Sequence, residues 1–181
     1  MNVNNKKMSK KIVFITQTAL LSTLAIILSM LEALLPPLPI PIPGGKLGLS
    51  NVVTFFTIQN LGVKSTLIVV LFKAIFAGLT RGGIAFVMSL CAGVLSALVM
   101  YCFLISKGNY FGYIGIAVFS AVCHNTVQIS IAALLTDSSV FFYFPVLLIL
   151  SVIAGCLTGT AMGIIMPVFR KINLKRQIDY S

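Results

Sequence analysis

Lys73 lies inside the apolar run Ser65–Leu79, about eight residues and roughly 12 Å from its start, too deep for its ammonium to reach either surface of a bilayer. A charge at that depth costs about 3 kcal/mol unless it finds a partner or water, so it marks either a site or an ion pair. Glu32, near the end of the first apolar run, is the one carboxylate within such a run and could pair with Lys73 or Arg81, as scaffold or as part of a pocket. Farther along, Ser120, His124 and Gln128 recur at steps of four with Asn125 beside them, which gives one polar face to an otherwise apolar helix. Asn51, Thr54 and Gln59 on the second run could face the same space. With Lys46 and Arg81 these positions predict an outward-opening pocket whose positive balance suits an anionic ligand. The candidate ligand-binding residues are Glu32, Lys46, Asn51, Lys73, Arg81, His124, Asn125 and Gln128.

Little else in the chain carries chemistry. The acidic residues are three, Glu32, Asp137 and Asp179, too few for most two-metal or phosphoryl-transfer sites. No GxxxxGK[ST], GxSxG or HExxH is present, so ATP-driven work would need another subunit. Cys91, Cys102, Cys123 and Cys156 stand singly in apolar runs and read as packing residues, with no metal site or redox pair. An enzyme acting on a lipid-linked substrate would rest on Glu32 or His124 alone, a weak constellation. No catalysis and no cofactor are expected.

The elements that must position these residues follow from composition. Of 181 residues, 59% are hydrophobic and 9% charged, against about 45–50% and about 25% in soluble domains. Six apolar runs, Ile12–Leu35, Leu47–Leu61, Ser65–Leu79, Ile84–Ile105, Tyr110–Leu135 and Phe144–Phe169, predict an all-α integral membrane protein with six transmembrane helices. It forms one domain over 12–171, flanked by basic segments 1–11 and 172–181. The second and third runs are short, about 22 Å as helix against a core of about 30 Å. A re-entrant pair would bury Lys64 near mid-membrane, so both are counted as spans.

Orientation follows from the loop cations. Placing both termini in the cytoplasm puts Lys6, Lys7, Lys10, Lys11, Lys64, Lys107, Arg170, Lys171, Lys175 and Arg176 inside and only Lys46 and Arg81 outside. Boundary positions of this kind point to membrane topology and not to nucleic acid, despite a net charge of +10. The first run is too long for a cleavable signal, and no small-residue cleavage site follows it. The first outer loop, PPLPIPIPGGKLG, is too proline-rich for helix and reads as a stiff segment able to fold across the outer mouth of the bundle.

Small residues form two stripes. Thr18, Ser22, Ala25, Ser29 and Ala33 share one face of the first helix, and Gly155, Gly159 and Gly163 make a doubled GxxxG in the last. Each allows close helix approach, within the chain or with a partner.

Several stretches together, SMLEALLPPLPIPIPGGKLGLSNVVTFF, LFKAIFAGL, AVCHNTVQ and the glycine-rich last helix, resemble the Gx transporter family, catalogued as heptaprenyl diphosphate synthase component I and similar to the substrate-binding S components of energy-coupling factor (ECF) transporters. The resemblance covers about residues 12–171. It implies a six-helix S-component fold in the bacterial cytoplasmic membrane, capturing a small anionic or amphipathic micronutrient, or an isoprenoid or quinone precursor, for ATP-driven uptake. The implied partners are a membrane coupling subunit and two ABC ATPases, docked on Thr18, Ser22, Ala25 and Ser29, although alanines are the usual residues of that surface. The synthase name finds no support in the residues, because the chain lacks the aspartate-rich DDxxD motifs such enzymes use. A competing expectation is a membrane subunit of a flavin- or quinone-linked extracellular electron-transfer assembly.

Overall fold

The computed structural model describes residues 3–34, 48–106, 111–136 and 138–178. Within them the chain is helical, with no strand. Its helices are α1 (Val3–Leu34), α2 (Leu49–Leu61), α3 (Val63–Arg81), α4 (Gly83–Ile105), α5 (Tyr113–Leu135) and α6 (Phe144–Ile178), with a 3-10 segment Ser138–Tyr143 before the last.

Five of the helices are long and apolar enough to cross a membrane, over Lys11–Leu34, Val63–Arg81, Gly83–Ile105, Tyr113–Leu135 and Val140–Lys171. The sixth expected span is α2, whose 13 residues reach only about 20 Å. Phe55, Thr57 and Ile58 of α2 are nevertheless buried. Their neighbours are protein: Phe55 and Ile58 join Ala97, Met100, Ile116, Ala117, Met162 and Met166 in the main apolar core.

Glycine sets the turn between α2 and α3. Gly62 has φ 81° and ψ −175°, a backbone conformation that side-chain-bearing residues rarely adopt, and its N–H still bonds the Thr57 carbonyl at 3.2 Å. The tight turn makes α2 and α3 an antiparallel hairpin. Lys64, at its tip, is exposed. Thr18, midway along α1, donates to the Ser65 hydroxyl at 3.0 Å, so the start of α3 lies beside the middle of α1.

That contact also locates the α1 stripe. Thr18, Ser22, Ala25 and Ser29 are all buried within this chain, where α1 packs on α2 and α3 and Ala25 meets Val53 and Val69. The face expected to dock a partner is occupied internally, and Ala33 falls off it into an exposed position. The reason lies in membrane physics: hydrocarbon offers no hydrophobic drive, so small residues are used where the chain's own helices must approach closely.

The α6 stripe divides in the same way. A Cβ on Gly155 would stand 2.4 Å from the Val118 Cα, and one on Gly159 2.4 Å from the Ile114 Cα, so the backbones of α5 and α6 touch there. Gly163 has open space around it. The proline-rich segment and Lys46 lie outside the described residues.

Candidate functional site

The apolar core fills the Gly62 end of the bundle, and polar side chains gather toward the other. Ser29 and Glu32 of α1, Gly48 and the first turn of α2, Lys73 and Arg81 of α3, Ser89 of α4, Ala121, His124, Asn125 and Gln128 of α5, and Ala154 of α6 line one chamber. Its empty space is about 490 Å³ counting any open edge, but water centres can enter only about 30 Å³ of it. That is room for about two waters.

Lys73 occupies the middle of α3, about 15 Å from Val63 and about 12 Å from Arg81 along the axis. It is 6% exposed. Its Nζ donates to Asn51 Oδ1 at 2.9 Å and to Ser50 Oγ at 3.2 Å, across the α2–α3 hairpin. Both of these acceptors are neutral oxygens, so the hairpin holds the ammonium in place and sets its direction.

Glu32 supplies the opposite sign and has a structural duty. Gly48, the residue before α2, has φ 75° and no side chain with which to cap the helix. The Leu49 N–H donates instead to Glu32 Oε1 at 2.8 Å, so α1 caps α2 with a carboxylate, the charge that a helix N-terminus prefers. Glu32 also lies near enough to Arg81 to attract it.

On α5 the polar face reaches both neighbours. His124 Nδ1 is 3.3 Å from the Ser96 hydroxyl of α4, and Asn125 Nδ2 donates to Ser151 Oγ of α6 at 2.8 Å. Ser120 donates to the Ser96 carbonyl at 3.2 Å. These bonds fix the ring and the amide while leaving both on the chamber wall.

Seven of the eight residues singled out in the sequence, Glu32, Asn51, Lys73, Arg81, His124, Asn125 and Gln128, thus meet in one chamber; the eighth, Lys46, is outside the described residues. Thr54 and Gln59 do not line it. Thr54 bonds the Ser50 carbonyl within its own helix, and Gln59 turns to Tyr113 at 3.3 Å. Ser120 is likewise consumed between helices. Sequence reasoning missed Ser29, Ser50 and Ser89 as chamber residues and Ser96 and Ser151 as supports of His124 and Asn125, because a serine at helical spacing looks the same whether it packs, lines or supports. Among the described residues no three of His, Cys, Asp and Glu cluster as a metal would require.

Several membrane-length helices around a buried cationic chamber define a membrane protein of multi-pass type. Residues 21–165 match the family described as heptaprenyl diphosphate synthase component I, and the chain belongs to that family. No curated protein and no solved structure matches it.

Proposed function

We propose that the protein is the substrate-binding component of a membrane uptake system, taking a small anionic or amphipathic solute into the chamber. The observation that carries this reading is the charge balance there. Lys73 and Arg81 stand with His124 and three amides, and the single carboxylate among the described residues, Glu32, accepts from the Leu49 N–H. An anion entering such a space gains charge-assisted hydrogen bonds from a cationic lining.

The water-sized room implies that a ligand enters only as the helices part, so capture is coupled to a change of shape. The chain carries no nucleotide-binding loop, and energy for release comes from partners: a membrane coupling subunit and two ATPases of the ECF type, with the bacterial cytoplasmic membrane as the setting and both termini cytoplasmic. With α1's small-residue face turned inward, such a partner engages other surfaces. No catalytic step is assigned to this chain.

The test is a thermal-shift series on the full-length protein in mild detergent against simple carboxylates and organic phosphates. At least one class should stabilise the wild type. Lys73→Met should weaken that response at least tenfold in apparent affinity, about 1.4 kcal/mol, and Lys73→Arg should retain part of it. An anion response identical in wild type and Lys73→Met, with both folded, would overturn the assignment.

A further inference from the structure

Away from the chamber, a second cavity opens at the Gly62 end. α1 packs on α2 and α3, while α6 packs on α5 and α2. The short α2 therefore floors a crevice with Phe56 and Asn60, walled by Leu20 and Leu21 of α1 on one side and Phe169 of α6 on the other. It admits water centres over about 200 Å³, several times the room of the chamber.

The lining is apolar except for Gln17 and Asn60. Asn60 Nδ2 is already used by the Phe56 carbonyl at 2.9 Å and the Met166 sulfur at 3.6 Å, and the Phe169 ring is braced edge-on by Phe56 at 5.0 Å. With so few free polar groups the crevice suits hydrocarbon better than water. Just past it, three helices turn basic. Lys11 precedes Gln17 on α1, Lys64 follows Leu61 across Gly62, and Arg170 and Lys171 follow Phe169; all four are exposed. Among the described residues the only carboxylate, Glu32, is at the opposite end of the bundle.

We propose that this crevice binds one hydrocarbon chain of an anionic phospholipid, with the lipid phosphate on Lys64, Arg170 and Lys171. Tail and headgroup contacts are contiguous, which separates the site from diffuse attraction between a basic surface and an anionic leaflet. The site is independent of the chamber and of what the chamber binds.

The experiment is native mass spectrometry of the full-length protein, washed in mild detergent and offered equimolar phosphatidylglycerol and phosphatidylcholine with identical chains. One phosphatidylglycerol should remain bound, at least tenfold in preference to phosphatidylcholine. The combined variant Lys64→Gln, Arg170→Gln, Lys171→Gln should lose the preference. Leu20→Trp, which fills the crevice from an exposed position, should reduce retention of phosphatidylglycerol at least fivefold with the basic residues intact. Glycerol phosphate, which has no tail, should not compete. Equal retention of the two lipids, retention unchanged by Leu20→Trp, or competition by glycerol phosphate would each overturn the proposal; the charge variant is decisive by itself if Leu20→Trp fails to fold.

Discussion

Lys73 and Asn51 stand equidistant in sequence from Gly62, and the hairpin that Gly62 permits brings Nζ within 2.9 Å of Oδ1. A buried ammonium is thereby satisfied by the partner helix of its own turn. The register of the hairpin and the placement of the charge are one structural fact.

Replacing Glu32 tests the cap that α1 places on α2. Glu32→Ala should cost about 1 kcal/mol and accelerate hydrogen exchange at the Leu49 amide, the N–H it leaves unbonded. Glu32→Gln keeps an acceptor and should recover most of both. Equal exchange at Leu49 in wild type and Glu32→Ala would count against the cap.

The two halves of the α6 glycine stripe should respond oppositely. Gly155→Ala and Gly159→Ala drive a methyl into α5 backbone that has nowhere to go, and each should lower stability by about 1–3 kcal/mol. Gly163→Ala meets open space and should stay within about 0.5 kcal/mol of wild type. Thermal unfolding of the three variants in one detergent makes the comparison.

Gly93 and Val70 should be coupled. A Cβ on Gly93 would lie 2.6 Å from Val70 Cγ1, a side-chain atom that a second substitution can remove. Gly93→Ala should destabilise the α3–α4 contact, and adding Val70→Ala should return part of the loss, so that the double variant is less destabilised than the sum of the singles. Strict additivity would place the strain elsewhere.

Labelling from one side of the membrane tests the topology. Asn60, near the tip of the α2–α3 hairpin, contacts the Met166 sulfur of α6 at 3.6 Å, so Lys64 and Lys171 share an end of the bundle. Single cysteines at Lys64 and Lys171, in a chain otherwise free of cysteine, should therefore react with an impermeant maleimide under the same condition, only after the membrane is opened. A Lys64→Cys protein labelled in intact cells while Lys171→Cys is protected would reverse the hairpin.

The chamber was legible from sequence because intramembrane polar groups are costly, so Lys73, His124, Asn125 and Gln128 stand out against their apolar runs. Helical pitch did the rest, placing His124 and Gln128 on one face. Thr54, Gln59 and Ser120 show where that reasoning stops. Each has the right polarity, but whether a hydroxyl or amide lines a space or closes a bond to the neighbouring helix depends on crossing angles that periodicity does not carry. The α1 stripe has the same ambiguity: Thr18, Ser22, Ala25 and Ser29 are spaced for close approach, and only the packed helices reveal that α2 and α3 are what approaches. The length of α2 is another case, since Leu47–Leu61 reads as a marginal span in a linear scan while its helix begins at Leu49, after a left-handed glycine.

The glycine contacts between α5 and α6 have a mechanical consequence. Backbone pressed on backbone at Gly155 and Gly159 leaves no side-chain layer to slide, so those two helices form a single stiff plate that bears His124 and Asn125. α1, which carries Glu32, packs on α2 and α3 and is joined to that plate through few direct contacts. Opening by α1 would carry the carboxylate away from the imidazole and amides, so that the space becomes more attractive to an anion at the moment it becomes wide enough to admit one.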